Sequence, residues 1–477
     1  MDTLIQQDVG QLQSLIRARE VSCVEVMQAT LAQVEMSAER INAFALVDAE
    51  AALASAQRAD AQLRDGSAIG SLHGVPFSVK DLIDAEGLET GYGSWLMVDN
   101  IASQDALAVK RLKDAGAILI GKTTTPEFAG SVLTESIRYG ITRNPWDREH
   151  TSGGSSGGAA AAVASGCGPL GLATDGAGSA RIPASCCGVL GLKPTLGRVP
   201  HTSAPDLFAN FTHLGLITRS VADLSVMLNV LSGADDGDPW TLGKEWQPVA
   251  ARTAPDHLTS LRAWYLPYIG NNRVATEVSE LCTKALSALS HAGVAIDEHT
   301  DPFDWAIDTS RTIMRGLMSA RMAKYNDDDR ARMGNGMHKA IEEGVNVTAA
   351  AVKNAPILRS DLYRRVNALL QQQQLLISPV LSAPPPRCDF NPLGEFSIDG
   401  HSVGDLRAGW FTYPTPFNLT GHPAISIPVG FTQAGLPVGL QVVARWGQEQ
   451  MLCDVASALH EHFPWQHHWP SWVVDAA

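Results

Sequence analysis

Residues 153–195 read GGSSGGAAAAVASGCGPLGLATDGAGSARIPASCCGVLGLKPT, and small side chains dominate this stretch. Six adjacent glycines and serines open it at 153–158, and a second glycine-rich turn, TDGAGSAR, follows at 174–181. A flexible linker does not normally run straight into a long apolar segment. Small residues here let backbone amides and hydroxyls converge where bulkier residues would block them. The stretch therefore favours a segment where backbone amides and hydroxyls converge over a flexible linker.

Outward from this stretch, apolar runs alternate with helical patterns. The first 65 residues are predicted to be helical, apart from a short run at Phe44–Val47. The predicted strands are 75–79, 117–120, 261–266, 375–379, 424–429 and 439–443, and the predicted helices include 106–115 and 448–460. This alternation is typical of an α/β protein with a mixed sheet covered by helices. No Pro/Ser-rich linker divides the chain, so we expect one large domain.

Composition limits the classes of function. The chain has 477 residues, 45% of them apolar, and a net charge of -14, which argues against a nucleic-acid-binding surface. No stretch reaches the roughly 18 apolar residues that span a bilayer, and residues 1–10 show no basic segment before an apolar run. Seven cysteines without a C-x-x-C pair suggest neither a zinc site nor a disulfide framework. We expect a soluble cytoplasmic protein with small-molecule partners and no metal or cofactor.

Two short motifs match their patterns but not the expected context. Residues 116–123, GAILIGKT, fit the phosphate-loop pattern, yet 117–120 is itself an apolar strand rather than a flexible loop. Residues 153–157, GGSSG, fit the nucleophile elbow of α/β hydrolases, yet the preceding NPWDREH is not a strand. With 14 histidines in the chain, a Ser-His-Asp mechanism stays formally open at this point.

The chain resembles the amidase signature family along almost its whole length. Besides 153–195, the motifs that carry the resemblance are GVPFSVKD at 74–81, GKTTTPEF at 121–128, TRNPWD at 142–147 and TPFNLTGHPAISIPVGF at 415–431. The resemblance implies a single domain, 1–477, with a mixed twisted sheet between layers of helices. Its predicted parts are a helical region 1–65, a signature core 66–200, a variable helical pocket region 201–420 and C-terminal strands and helix 421–477.

The resemblance also implies a Ser-cisSer-Lys triad and an acyl-enzyme mechanism. Ser179 takes the position of the nucleophile, Ser155 that of the bridging serine with a cis peptide, and Lys80 that of the base. A lysine can accept a proton only when neutral, and lowering its pKa from about 10.4 to roughly 7 or 8 costs about 4 kcal/mol. Burial beside the apolar run 75–79 and nearby dipoles could supply that energy.

Further residues are expected around the triad. Consecutive amides in the glycine-rich turn are suited to hold an oxyanion; these are Gly176, Ala177, Gly178 and Ser179. Ser156 could join the hydrogen-bond network, and Asp175 and Arg181 are predicted to fix the loop, with a lesser chance that Arg181 meets an anionic substrate. Ala177 replaces a glycine common in the family and limits positive φ there. Ala180 replaces a branched aliphatic residue and could loosen the wall beside Ser179.

The substrate is less defined than the chemistry. Candidate pocket residues are Leu207, Phe208, Phe211, Trp305, Met314, Met318, Trp410, Phe411 and Tyr413, although most large apolar residues belong to cores. They favour an aliphatic or aryl amide substrate, with carbamates and esters open. The alternative implied by the resemblance is the A subunit of a glutamyl-tRNA amidotransferase, which supplies ammonia to a partner. A non-enzymatic binding module would have no use for a triad, and the helical first 65 residues could form a homodimer contact.

Overall fold

The computed structural model describes residues 4–252, 258–300, 303–305 and 307–474. Its main feature is an eleven-stranded mixed sheet in the order β1-β3-β2-β6-β8-β7-β14-β15-β11-β9-β10. The main-sheet strands are β1 (Phe44–Val47), β2 (Pro76–Lys80), β3 (Ile118–Thr123), β6 (Leu170–Asp175), β7 (Leu190–Lys193), β8 (His213–Thr218), β9 (Arg262–Tyr265), β10 (Ala295–Glu298), β11 (Leu375–Pro379), β14 (Ala424–Phe431) and β15 (Pro437–Ala444). Two small hairpins pair β4 (Glu135–Ser136) with β5 (Gly140–Ile141) and β12 (Ser397–Ile398) with β13 (His401–Ser402).

Helices connect and cover these strands. They are α1 (Val9–Arg17), α2 (Cys23–Ile41), α3 (Ala49–Arg64), α4 (Leu107–Asp114), α5 (Gly157–Ala164), α6 (Arg181–Cys187), α7 (Val221–Leu231), α8 (Thr276–His291), α9 (Ile307–Met322), α10 (Asp327–Arg330), α11 (Asn335–Val345), α12 (Ala349–Gln372), α13 (Leu406–Gly409), α14 (Thr415–Leu419), α15 (Glu449–His462) and α16 (Ser471–Val474). None of these helices combines the length and apolar character needed to cross a bilayer.

The middle of the sheet is buried on both faces. Every residue of β2, β7, β8, β11 and β15 is buried. Because successive side chains of a strand point to opposite faces, complete burial requires cover on both sides. β2 pairs in parallel with β3 and β6, whereas β6 pairs antiparallel with β8. The predicted mixed sheet within a single α/β domain is confirmed.

A helix of very small residues lies against the centre of this sheet. α5 reads GGAAAAVA, and all eight residues are buried. A Cβ added to Gly158 would lie 2.5 Å from the amide nitrogen of Thr124, and one added to Gly157 would lie 2.4 Å from the Thr134 Oγ1. Since such distances are not sterically allowed, only glycine fits at both positions. The close approach holds residues 155 and 156, just before α5, against the sheet.

The element predictions hold in outline, with shifted ends. The strand predicted at 375–379 is confirmed as β11, and the other predicted strands are displaced by one to three residues at their ends. The centre of the sheet differs most from the prediction, because the predicted strands do not include β6, β7 and β8. Their glycines and polar residues weaken the strand pattern, and burial between neighbouring strands stabilises them instead. Region 201–420 contributes β8 to β11 as well as helices, and its predicted boundaries stay a prediction.

The two misleading motifs are explained by the backbone. Residues 118–123 of the phosphate-loop match form β3, so this segment is no anion-binding loop. Residues 144–150, before the elbow match, belong to no strand, apart from an isolated bridge between His150 and Arg387. All seven cysteines are free, and six of them are buried.

Candidate active site

Lys80 is the last residue of β2 and is completely buried. Its Nζ lies 2.7 Å from the Ser155 Oγ, 2.9 Å from the Ser156 Oγ and 2.9 Å from the Thr174 Oγ1. Ser155 and Ser156 precede α5, and Thr174 lies near the end of β6, the strand beside β2. Three hydroxyls from two separate segments therefore surround one amine in the interior of the protein.

The environment favours the neutral form of this amine. Burial lowers the pKa of Lys80 well below its usual value, and the negative charge of Asp175 opposes only part of that effect. Desolvation acts in this direction because a buried ammonium loses its hydration. A neutral lysine amine has two N–H donors and one lone pair, so it can accept a proton.

The hydroxyl network limits where that lone pair points. The Ser156 hydroxyl donates to the carbonyl of Thr174 at 3.1 Å, so its oxygen is left to accept from Lys80. In the neutral state the lone pair must then face either Ser155 or Thr174. The Ser155 contact is the shorter of the two. This arrangement allows the Ser155 hydroxyl to donate its hydrogen to Lys80.

The segment before α5 also contacts the predicted nucleophile. The peptide bond between Gly154 and Ser155 is cis, as the family resemblance implies. The amide of Ser156 donates to the carbonyl of Ser179 at 3.1 Å. Ser179 is half-buried and lines a cavity, whereas Ser155 and Ser156 are buried. Hence Ser179 can meet a ligand while the other two serines lie behind it.

Asp175 holds the turn that carries Ser179. Its carboxylate accepts from the amides of Gly178 at 2.7 Å and Ala180 at 3.2 Å, and from Arg181 through two bonds of 3.0 Å. Burial alone would raise the pKa of Asp175, but the Arg181 guanidinium and the Asn418 amide more than offset it and hold the pKa well below its usual value. The carboxylate is therefore charged and fixes the turn on both sides of Ser179.

Arg181 uses all five of its N–H donors within the protein. Besides the two bonds to Asp175, it donates to the Pro414 carbonyl at 2.9 Å, the Gln441 Oε1 at 2.7 Å and the Asn418 Oδ1 at 2.6 Å. The side chain is completely buried. The interpretation of Arg181 as a loop-fixing partner agrees with these contacts, and the lesser suggestion that it meets an anionic substrate is wrong.

The predicted oxyanion hole needs one correction. The amide of Gly178 already donates to Asp175, so it is not free for a substrate oxygen. Gly178 has φ of +109°, and an added Cβ would lie 2.7 Å from the Cβ of Pro414, so its role in this turn is conformational. In the described structure, the amides of Gly176, Ala177 and Ser179 have no protein acceptor. These three stay candidates for the oxyanion.

The two departures from the family pattern leave the turn intact. Ala177 does not have a positive φ, so its methyl group adds no backbone strain. Ala180 is completely buried, and a Cβ added to Gly215 would lie 2.6 Å from its Cβ. The space beside Ala180 is therefore filled by a close backbone approach, and the expected loosening of the wall is not seen.

A cavity of about 630 Å³ opens beside the turn and is lined by Ala177 and Ser179. Of the nine predicted pocket residues, Met314 and Phe411 line it. The other seven do not line it: Phe211, Trp305, Trp410 and Tyr413 are buried in core clusters, Met318 packs beside a third cluster, Leu207 is half-buried and Phe208 is 81% exposed. Tertiary packing places most of these large apolar side chains in or against the core, and residue type alone does not distinguish core from pocket.

Three polar residues of the site were missed from the sequence. Thr174 bonds Lys80, Asn418 donates to the Asp175 carbonyl at 2.7 Å, and Gln441 accepts from Arg181. Thr174 and Asn418 lie within the motifs TDGAGSAR and TPFNLTGHP, so their positions were available as a signal. Gln441 lies inside the apolar strand β15 and follows no such motif.

Neither a histidine nor a metal cluster accompanies these residues. In the part of the chain that the structure describes, no histidine nitrogen bonds Ser155 or Ser179, and no group of three His, Cys, Asp or Glu residues could hold a metal ion. Burial lowers the pKa of the buried His422 to about 3, so it is neutral at ordinary pH. The titratable group in hydrogen-bond contact with Ser155 and Ser156 is the Lys80 amine.

A buried lysine thus lies beside two serines, next to a cavity that a third serine reaches. The sequence model of the family described as Amidase matches residues 25–453, and the chain belongs to that family. It is an amidase, an enzyme that hydrolyses carbon–nitrogen bonds in amides.

Individual relatives agree with this assignment. The chain is 35% identical over 459 residues to an acylamidase of Rhodococcus erythropolis, covering 94% of each protein. It is 30% identical over 482 residues to the A subunit of the glutamyl-tRNA(Gln) amidotransferase of a Picosynechococcus species, covering 95% of this chain and 97% of that protein.

Solved structures show the same fold. A bacterial aryl acylamidase of the amidase signature family matches with a TM-score of 0.89, 24% identity and 98% coverage of both chains. The 6-aminohexanoate cyclic dimer hydrolase matches with a TM-score of 0.86 and 29% identity, over 98% of this chain and 99% of that one. The amidase signature fold predicted from the sequence is confirmed.

Proposed function

We propose that the chain hydrolyses acyl amides, with Ser179 as nucleophile, Ser155 as proton relay and Lys80 as base. The observation that carries this proposal is the buried Lys80 amine, 2.7 Å from Ser155, in an environment that favours its neutral form. A serine hydroxyl is inert near neutral pH, so an acceptor for its proton is required. Lys80, reached through Ser155, is that acceptor.

In the acylation step, the Ser179 oxygen attacks the carbonyl carbon of the amide. The Ser179 proton passes to the Ser155 oxygen, and the Ser155 proton passes to the Lys80 lone pair, leaving an ammonium. The carbonyl oxygen becomes an oxyanion, for which the amides of Gly176, Ala177 and Ser179 are the free donors. Asp175 is charged and opposes part of the desolvation of Lys80, which stabilises the ammonium formed here.

When the tetrahedral intermediate collapses, the carbon–nitrogen bond breaks and the amine must leave protonated. Lys80 returns its proton through Ser155 to that nitrogen, which leaves Ser179 acylated and Lys80 neutral. Water then attacks the acyl-enzyme by the same relay, and the proton comes back to the Ser179 oxygen as the acid is released. One relay thus serves as base and as acid in turn.

The substrate range is part of the proposal. The relatives are an acylamidase and an aryl acylamidase, which supports aliphatic and aryl acyl amides. Met314 and Phe411 supply apolar wall to the cavity beside Ser179. Carbamates and activated esters carry the same attacked carbonyl and are proposed as further substrates. A cytoplasmic location, the absence of nucleic-acid and membrane partners, and a homodimer stay predictions of the sequence.

The proposal is tested by labelling and by rates. A fluorophosphonate probe should label Ser179, and Ser179→Ala should abolish labelling and lower kcat by about 10⁴-fold or more on an acyl 4-nitroanilide. Asn210→Ala changes a buried polar residue outside the proton relay, and it serves as the control for general damage, followed by circular dichroism and thermal unfolding. A label on Ser155 with Ser179 unmodified would refute the assignment.

The A subunit of a glutamyl-tRNA amidotransferase is the second candidate. Its support is the 30% identity to such a protein over nearly the whole chain. In that role Ser179 would attack glutamine and release ammonia. Glutaminase activity that appears only with a partner protein, together with no cleavage of acyl anilides by the isolated chain, would favour this candidate.

A further inference from the structure

Arg407 lies in the wall of the cavity that Ser179 and Ala177 also line. It belongs to the short helix α13 and is half-buried. Its guanidinium carbon is 5.2 Å from the centre of the Phe411 ring, and its Nη1 donates to the Ser310 Oγ at 3.2 Å. Phe411 is itself a wall residue, so the ring and the buried Ser310 fix the guanidinium at the cavity.

The charged groups around Arg407 are engaged with one another. Arg311 pairs with Asp405 at 2.7 Å, and Arg315 pairs with Glu343 at 2.6 Å. The second oxygen of Asp405 accepts from the amide of Ala408. Among the residues that the structure describes, no carboxylate lies within ion-pair distance of Arg407.

The positive charge of Arg407 is not paired within the part of the chain that the structure describes. The titratable groups that face Arg407 are two arginines and two carboxylates, which pair with each other, and Arg311 also lies 3.6 Å from Asp308. Burial, and then repulsion from Arg311 and Arg315, lowers the pKa of Arg407 to about 10, which leaves it protonated at neutral pH.

We propose that Arg407 binds a carboxylate of the substrate, so that the preferred substrates are acyl amides with a second, anionic group. This inference rests on the proposed function of the Ser179 site. Four guanidinium N–H donors of Arg407 have no described protein acceptor, and a planar guanidinium matches a carboxylate through two parallel bonds. An anion there would pair with a guanidinium that has no carboxylate partner among the described residues, and the scissile amide would lie in the same cavity at Ser179.

The experiment uses two matched sets of 4-nitroanilides with the full-length protein. One set carries a terminal carboxylate on a succinyl, glutaryl or adipoyl chain. The other replaces the carboxylate by a methyl ketone of the same length, such as 5-oxohexanoyl for glutaryl. Each pair differs in charge and hardly in shape, and the chain-length series covers the span between Ser179 and Arg407. The readout is kcat/KM, resolved into kcat and KM.

We expect at least one carboxylate anilide to exceed its ketone partner by about 10- to 100-fold in kcat/KM, as bonds to charged groups typically contribute. Arg407→Gln should remove this preference, mainly through KM, and Arg407→Lys should restore part of it. Lys339→Gln is the matched control, because exposed Lys339 lines the same cavity and the change removes the same charge. It should keep the preference within about 3-fold, as expected for a screened, exposed charge.

The outcomes separate the two proposals. Cleavage of the ketone anilides without any preference for carboxylates would overturn the role of Arg407, and so would an equal loss of preference in Lys339→Gln. If neither set releases 4-nitroaniline while the enzyme is folded, the proposed function itself fails, and this inference fails with it.

Discussion

Replacing Lys80 by methionine should harm amide cleavage more than ester cleavage. Methionine keeps most of the side-chain length and removes the amine that contacts Ser155, Ser156 and Thr174. An amine leaves only when protonated, whereas an activated phenolate leaves unaided. If Lys80 acts through Ser155 as both base and acid, its loss removes two contributions from amide hydrolysis and one from ester hydrolysis.

The size of the effect follows from these two contributions. A positioned acid or base typically contributes about 10²- to 10⁴-fold. Ester cleavage should therefore fall by about that factor, and the amide-to-ester ratio should fall further, by about 10- to 1000-fold. Three hydroxyls, two of them buried, also lose their contact with the amine, which should lower the free energy of unfolding by about 1–3 kcal/mol.

The assay compares a 4-nitroanilide and a 4-nitrophenyl ester of one acyl group, measured as kcat/KM. Lys122→Met is the control, because Lys122 is an equally buried lysine on β3 that bonds Ile83 and Thr90 and lies 3.8 Å from Asp81. It should lose stability and keep the amide-to-ester ratio. Equal losses on both substrates would leave Lys80 as a base alone, and no loss on either would remove it from the mechanism.

Three further predictions follow from the same contacts. For the wild type, kcat/KM on the amide should fall as the pH decreases through the pKa of Lys80, which lies well below 10.5, because only the neutral amine accepts a proton; a pH profile with no acidic limb would contradict this. Thr174→Val keeps the volume but removes an acceptor from Lys80, and kcat should fall about 10-fold with little change in thermal unfolding, the loss expected for one hydrogen bond. Asp175→Asn leaves the buried Arg181 without its carboxylate. The unfolding free energy measured in urea should therefore fall by about 3–5 kcal/mol, and fluorophosphonate labelling should be lost. Glu449→Gln breaks the similarly buried pair with Arg198, and this variant should lose stability but keep the label.

The chemistry of the site could be predicted because its residues lie in short motifs. Lys80, Ser155 and Ser179 each occur in a local pattern, and the structure places Lys80 beside Ser155 and the backbone of Ser156 beside that of Ser179. Their catalytic roles stay predictions until the rates are measured. The hydrogen bond from the Gly178 amide to Asp175 also follows a local pattern, since an aspartate often accepts from a backbone amide a few residues later in the chain.

The pocket could not be predicted in the same way. Whether a large apolar side chain lines a cavity depends on how segments far apart in the chain pack together. Phe411 and Met314 line the same cavity although they are far apart in the sequence. Trp410 and Phe411 are adjacent in the sequence, yet Trp410 donates to the carbonyl of Ala383 inside the core and Phe411 lines the cavity. The sequence holds no periodic pattern that separates these two neighbours.

The segment 307–372 supplies much of the cavity wall without supplying the sheet. All of its residues are described, and they form α9 to α12 and no strand. This continuous segment lies between β10 and β11, and its cavity-lining residues include Arg311, Met314, Arg315, Met337 and Glu343. Lys80, Ser155, Asp175 and Ser179 lie elsewhere, on or next to the central strands. One part of the cavity wall and the residues of the proposed proton relay therefore belong to different parts of the gene. Engineering of the 307–372 segment can change that part of the wall, while Arg407 and the relay residues are inherited unchanged.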